Sequence, residues 1–171
     1  MKKTDAVKRT VAVSDGSERE NYLLKLIFSS CGQGTFQVVP ENAVQGTDVI
    51  LSPDSRRRPD PLRFPVWVTR YPETGGIDRR GYRRIVTYSD QYREADFTAQ
   101  NIRSLPNGVT AFEIVGVGII GRVRLQTSDQ SAVEPAIAAA AAAMAAGVPF
   151  ADALEALNRF GKSARQTVGG K

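Results

Sequence analysis

The 171-residue chain contains no histidine and a single cysteine. Without an imidazole group, histidine-based acid–base catalysis and histidine metal ligation are excluded. The lone thiol, Cys31, cannot form a disulfide within the chain, and we expect it on the buried side near a helix end. The sequence therefore predicts no metal site.

No apolar run in the sequence reaches the roughly 18 residues that a membrane-spanning helix requires. The alanine-rich run over residues 138–146 is too short and too weakly hydrophobic. Met1-Lys2-Lys3 at the beginning is not followed by the apolar segment of a secretory signal. We therefore expect a cytoplasmic protein that does not enter a membrane.

The composition is that of a soluble globular protein. Hydrophobic residues make up 42% of the chain and charged residues 24%, which is ordinary for a protein with a single core. We expect one domain over residues 1–161. Residues 162–171 are polar and rich in glycine, and they are expected to form a flexible tail.

The net charge of +5 is concentrated in one segment, since nine of the 17 arginines lie between Arg56 and Arg84. Proline, glycine and acidic residues interrupt the segment, which favours a solvated connection around one strand. Two alternatives stay open, an anionic-ligand or acidic-partner surface and a nucleic-acid surface. The candidate anion surface consists of Arg79, Arg80, Arg83 and Arg84, and the interleaved aromatic residues are Trp67, Tyr71 and Tyr82.

The stretch TVAVSDGSERENYLLKLIFSSCG, from Thr10 to Gly32, predicts a strand, a tight turn and a helix. Val11–Val13 is short, apolar and partly β-branched, as in a buried strand. Small polar residues then form the turn, and Ser14 and Asp15 are of a type that can cap a helix. The predicted helix covers residues 19–31, with Gly32 able to end it. Its expected apolar face consists of Tyr22, Leu23, Leu26, Ile27 and Ser30.

The pattern from residue 47 to residue 126 is mainly that of β-structure. Val49–Leu51 and Pro65–Thr69 are continuously apolar at their centres, which is typical of parallel strands buried on both faces. RRIVTYS has the same character. Residues 98–126 instead alternate polar and apolar side chains between tight turns, which predicts a three-stranded antiparallel meander. The fold class is therefore α/β, a mostly parallel sheet flanked by helices with the meander attached at an edge.

The remainder of the chain predicts two helices. Ser131 and Glu134 fit a capping box at the beginning of an alanine-rich helix over residues 132–146, which Gly147 can end. A second helix begins after Pro149, with Gly161 as its stop. The helices at 19–31 and 132–146 are expected to pack on the sheet.

Three stretches from the second half of the chain resemble, in order and spacing, the second half of the central domain of the Mur ligases. They are ADFTAQNI from Ala95 to Ile102, PAIAAAAAAMAAGVP and ALEALNRFGK. The family comprises ATP-dependent amide ligases of peptidoglycan precursor synthesis and the related folylpolyglutamate and cyanophycin synthetases. The resemblance implies an α/β domain with a phosphate-binding loop between its first strand and first helix.

In that alignment the loop has lost the groups that hold a triphosphate. The family's lysine falls at Ser17, its magnesium-binding hydroxyl at Glu18 and its first glycine at Val13. Carboxylates at Asp15, Glu18 and Glu20 instead suit the positive end of the helix dipole. ATP is therefore not expected as a ligand, and no cofactor is predicted. An alternative alignment uses Gly16 and Arg19 as a rearranged loop. The degenerate loop positions are Ser14, Asp15, Gly16, Ser17, Glu18 and Arg19.

Other family positions differ in the same direction. Ser131-Ala132 stands where the family has His-Asn, and Pro135 replaces the asparagine that follows. Only about fifteen residues separate the first helix from the strand at 49–51, where the ligases carry a long magnesium-binding segment. The sequence stops near FGKSAR, where the family's C-terminal domain begins. These losses are expected to remove phosphoryl transfer and amide formation.

Three functions remain open. The first is a catalytically inactive, binding or regulatory protein that docks to a partner chain or to a second copy of itself, across an exposed sheet edge or apolar face. The second is a nucleotide- or UDP-sugar-binding fragment that another chain completes. The third is an arginine-dependent binder of polyanions or nucleic acid, which we do not expect.

Overall fold

The computed structural model describes residues 9–31, 36–43 and 47–168, with side chains described as far as Arg159. The strands are β1 (Arg9–Val13), β2 (Phe36–Pro40), β3 (Val49–Leu51), β4 (Val66–Arg70), β5 (Arg84–Ser89), β6 (Phe97–Leu105), β7 (Val109–Gly116) and β8 (Ile119–Leu125). The helices are α1 (Glu18–Ser30), α2 (Val133–Ala145) and α3 (Phe150–Val168), with a 3-10 turn over Gln130–Ala132. None of these helices is long and apolar enough to cross a membrane.

The strands form one eight-stranded sheet in the order β2-β1-β3-β4-β5-β6-β7-β8. Neighbouring strands are parallel from β2 to β6, and β5 and β6 pair at Tyr88 and Phe97. β6, β7 and β8 are antiparallel. The predicted α/β class is confirmed, as are the parallel pairing of the first strands and the meander at one end of the sheet. The three-residue turn between β6 and β7 has positive φ at Asn107 and Gly108, a conformation that glycine adopts freely and asparagine tolerates.

Strand β2 is not anticipated by the sequence pattern. It lies at the end of the sheet opposite the meander, and its side chains are half-buried or exposed. Such a strand lacks the continuous apolar run that marked β3 and β4, because only one of its sides is paired with a strand in the described residues.

All the helices pack on one face of the sheet, where they contact each other and form the main core. The alanine side chains of α2 are small, so this helix lies close against β3 to β6, and it contacts both α1 and α3. Burial of Cys31 at the end of α1 is confirmed, with 8% of the residue exposed. Gly32 lies outside the described residues.

The helix-free face of the sheet has a second, smaller core around the fully buried Trp67. The Trp67 indole donates to the carbonyl of Ser52 at 3.1 Å, and its ring lies 5.3 Å from that of Tyr82. Ile50 and Phe64 complete this cluster with two further residues, Ala12 and Ile85. Irregular chain from the arginine-rich segment therefore covers this half of the sheet in place of a helix.

Three local predictions are wrong. The buried face of α1 consists of Leu23, Leu24, Ile27 and Phe28, whereas Tyr22 is 56% exposed. Ser131 and Glu134 form no capping box, because Asp129 accepts the Ser131 amide and Glu134 binds Arg70. Gly161 does not end α3, which continues to Val168, since one glycine weakens a helix by about 1 kcal/mol without breaking it.

Candidate functional site

The loop between β1 and α1 occupies the position where α/β proteins bind ligands. From β1 the chain passes to β2 on one side, and β3 then lies on the other side of β1. This change of direction creates a crevice at the carboxyl ends of the central strands. Ser14, directly after β1, donates its amide to the carbonyl of Leu51 at 3.1 Å, which holds the loop at this crevice.

The loop is internally bonded. The Ser14 and Ser17 hydroxyls are buried and lie 3.1 Å apart, so they form a hydrogen bond with each other. Between them Gly16 has a φ of +84°, a conformation that L side chains rarely adopt. Ser17 stands where the resemblance places the family's lysine, and its side chain is directed into the protein. No loop side chain therefore offers a positive charge to the crevice.

The beginning of α1 is acidic and has no side-chain cap. Ser17 occupies the N-cap position, but its side chain accepts no amide of the first turn, and neither Ser14 nor Asp15 is the capping residue. Glu18 and Glu20 lie in the first turn, where carboxylates interact favourably with the helix dipole. The same carboxylates repel an anionic ligand that approaches these amides.

A cavity of about 220 Å³ lies beside this loop, between α1 and the carboxyl end of β2. Asn21 and Lys25 from α1 and Pro40 from β2 are among the residues that line it. Within the described residues, the buried Asn21 Oδ1 atom has no hydrogen-bond partner. The sequence analysis missed both α1 side chains, although Glu18, Asn21 and Lys25 follow the spacing of one helical face. A cation thus borders the crevice from the helix instead of from the loop.

Arg19 does not line this cavity. Its guanidinium donates to the Ser131 hydroxyl at 2.9 Å and to the Asp129 carboxylate at 3.2 Å. Asp129 also accepts the Ser131 hydroxyl and amide, and these bonds, with Arg19, lower the pKa of its carboxyl. Arg19 therefore connects the beginnings of α1 and α2. In this structure it does not occupy the position that a rearranged phosphate loop would require.

A second polar cluster lies at the carboxyl ends of β4 and β5. Arg70 Nε lies 2.5 Å from Glu134 Oε1 at the beginning of α2. Burial raises the pKa of Glu134, Arg70 opposes the shift, and Asp90 adds to it. Tyr88 is fully buried in the same region, and burial raises its pKa far above the ordinary value. Its hydroxyl has no hydrogen-bond partner in the part of the chain that the structure describes. The sequence analysis did not identify this cluster, since its members are far apart in the chain.

The four residues of the candidate anion surface are exposed, but they are not equivalent. Arg80 is paired with Asp78 at 2.9 Å, and Asp78 also lies 3.7 Å from Arg58. Arg58 lies in turn over the ring of Tyr82, 5.0 Å from its centroid. Trp67 and Tyr82 pack together in the core, and Tyr71 packs against Tyr92, 5.7 Å between ring centroids. Among the described residues, no group of acidic or cysteine side chains could hold a metal ion.

No protein-family model matches the sequence, and no match was found among curated proteins. Solved structures do match. MurF from Acinetobacter baumannii superposes with a TM-score of 0.65 at 18% identity, covering 90% of this chain and 46% of that one. UDP-N-acetylmuramate-alanine ligase MurC from Thermotoga maritima gives 0.61 at 15% identity, covering 91% and 45%. A pseudomurein peptide ligase type C from Methanothermus fervidus gives 0.53 at 15% identity, covering 91% and 50%.

The chain therefore has a Mur-ligase-type fold, and the resemblance stated from the sequence motifs is confirmed at this level. The agreement extends over about nine-tenths of the chain. The chain spans about half the length of these ligases. The likeness is therefore one of fold, to about half of each ligase chain.

Proposed function

We propose that this chain is a catalytically inactive member of the Mur-ligase-type fold that acts by binding a partner chain. The observation that carries the proposal is the composition of the β1–α1 loop. Ser17 is buried against Ser14, and Asp15, Glu18 and Glu20 supply negative charge around the helix beginning. Losing a charge-assisted phosphate contact costs roughly 1.5–3 kcal/mol, and the carboxylates oppose binding further.

Titration calorimetry with Mg-ATP, Mg-ADP and a UDP-sugar tests this proposal directly. Each 1.4 kcal/mol corresponds to about a tenfold change in affinity, so any remaining nucleotide affinity should be millimolar or weaker. Micromolar binding of Mg-ATP would overturn the proposal. A heat signal that Arg19→Ala abolishes would identify the rearranged loop as its cause.

A nucleotide-binding fragment that another chain completes is the second candidate, and one observation favours it. Lys25 and the unpartnered Asn21 Oδ1 border the cavity beside the loop. If this cavity accepts phosphate groups, pyrophosphate should bind to the wild type and lose affinity in Lys25→Ala. The matched control is Arg93→Ala, which removes one exposed cation that does not line the cavity.

A further inference from the structure

The meander exposes one face that no helix covers. Side chains alternate along its strands, and Phe112, Ile114, Val123 and Leu125 all point into the core beneath the helices. The residues between them lie on the opposite face, which is continuous with the side of the sheet that carries Trp67. We call the set Arg103, Glu113, Val115, Ile120, Arg122 and Arg124 the meander face. The ladder places Val115 beside Ile120 and Ala111 between Arg103 and Arg124.

The charge of the meander face is positive and largely uncompensated. Among the described residues, Arg103 and Arg124 have no acidic side chain in contact. Arg122 lies 3.8 Å from Glu113 with 86% of its side chain exposed, and Glu113 also accepts from Asn101 at 2.8 Å. The arginine-rich segment is compensated in part, because Arg56, Arg58 and Arg80 there have acidic partners.

Apolar side chains lie at one end of this basic surface. Ile120 is 66% exposed, and Val115 beside it is half-buried. Val117, in the turn that joins β7 to β8, is 94% exposed. Protein–protein interfaces combine an apolar centre with a polar rim, and arginine is enriched in them while lysine is depleted.

The outer edge of β8 is closed to strand addition at its centre. Asn158 on α3 accepts the Arg124 amide at 2.9 Å and donates to the Arg122 carbonyl at 3.1 Å. A partner therefore meets side chains of the meander face instead of extending the sheet through β8. At this end of the sheet, the surface open to a partner is therefore the face of the meander and not the centre of the β8 edge.

We infer that the meander face binds an acidic segment of a partner protein, with Arg103, Arg122 and Arg124 contacting its carboxylates and Ile120 its apolar side chains. Nucleic acid fits less well, because proteins that bind single strands present aromatic rings on which bases stack. The aromatic residues of the meander strands, Phe97 and Phe112, are both buried. The inference rests on the proposed binding function and names the chemistry of its partner.

Fluorescence anisotropy with a short labelled peptide, rich in glutamate and carrying two leucines, tests the inference. The triple variant Arg103→Gln, Arg122→Gln, Arg124→Gln should weaken peptide binding at least about tenfold. The matched control is Arg79→Gln, Arg80→Gln, Arg83→Gln, which removes the same charge from the neighbouring segment. It should bind within about twofold of the wild type. Ile120→Ser should also weaken binding, which a purely electrostatic attraction would not show.

Four results would overturn the inference. The first is wild-type protein that does not bind the peptide at low salt. The second is a control variant that loses as much affinity as the triple variant. The third is tighter binding of an oligothymidylate of equal charge, which would indicate a nucleic-acid surface. The fourth is a dimer in light scattering that the triple variant dissociates, which would make the occupant a second copy. Calorimetry with Mg-ATP separately tests the absence of nucleotide binding, so the two failures are distinguishable.

Discussion

Arg19 and Asp129 join the beginning of α1 to the beginning of α2 through an ion pair of 3.2 Å. Both side chains are about half exposed, and Ser131 completes the contact. Exposed pairs contribute little to stability because solvent screens them. The role of Arg19 is therefore to connect the two helix beginnings, and this connection determines what its removal should do.

We predict that Arg19→Ala leaves Mg-ATP binding as weak as in the wild type and lowers the melting temperature only slightly. Calorimetry and a thermal melt measure the two effects. Asp129→Ala serves as the control, since it breaks the same ion pair from the other side and should give a similar melt. A variant that changes nucleotide binding without changing the melt would contradict the structural role.

Asn158→Ala should expose the outer edge of β8. The Arg124 amide and the Arg122 carbonyl each lose a hydrogen bond, and about 1–2 kcal/mol of unfolding free energy should be lost in total. The freed edge should also increase self-association at high concentration. Urea denaturation and light scattering measure these effects, with Arg159→Ala on the same helix as the control. An unchanged, monomeric variant would show that Asn158 does not protect the edge.

The raised pKa of Glu134 predicts a pH-dependent loss of stability. Below pH 4.5, the ordinary pKa of the group, the carboxyl is protonated in both the folded and the unfolded state, so it does not change the free energy of unfolding. As the pH rises above that value the unfolded state ionises first, so the folded state loses stability until its own raised pKa is passed. Glu134→Gln avoids this loss and keeps an oxygen for Arg70.

The experiment is urea denaturation of wild type and Glu134→Gln below pH 4.5 and at neutral pH. We expect the wild type to lose stability relative to the variant as the pH rises. Glu94→Gln, at an exposed position, controls for removing a carboxylate. If the wild type instead becomes more stable relative to the variant as the pH rises, the ion pair with Arg70 stabilises the ionised carboxyl by more than burial destabilises it.

Cys31 should react slowly in the folded protein. Burial raises the pKa of its thiol, and Asp152 and Glu155 add to the shift, so little thiolate is present at neutral pH. We expect Ellman's reagent to modify native protein at least about tenfold more slowly than protein unfolded in urea. Equal rates in the two states would show that the end of α1 opens readily.

The arginine-rich segment is predicted to contribute solubility instead of binding. Replacing Arg79, Arg80, Arg83 and Arg84 with glutamine should change elution from a heparin column little, and the wild type should elute at low salt. The pairing of Arg80 with Asp78 reduces the charge that this surface presents. Salt-sensitive retention that the variant abolishes would show a functional anion surface.

The sequence by itself determined the order and character of most elements. Continuous apolar runs such as Val49–Leu51 predict buried parallel strands, since both of their faces contact protein. Alternation in β7 and β8 predicts the meander, because one of its faces is covered and the other exposed. The phosphate-loop comparison also rests on sequence alone, since the loop is contiguous in the chain.

Only the tertiary structure decided which distant side chains meet. Arg19 and Asp129 are 110 residues apart and Arg70 and Glu134 are 64 apart, so no local periodicity relates them. The local sequence pattern predicted a capping box at Ser131 and Glu134, because it contains no information about Arg70 on β4, which binds Glu134 instead. β2 was missed for a related reason. The periodicity of hydrophobic residues identifies strands that are buried on at least one face, whereas β2 is half-exposed and is held in the sheet by its hydrogen bonds to β1.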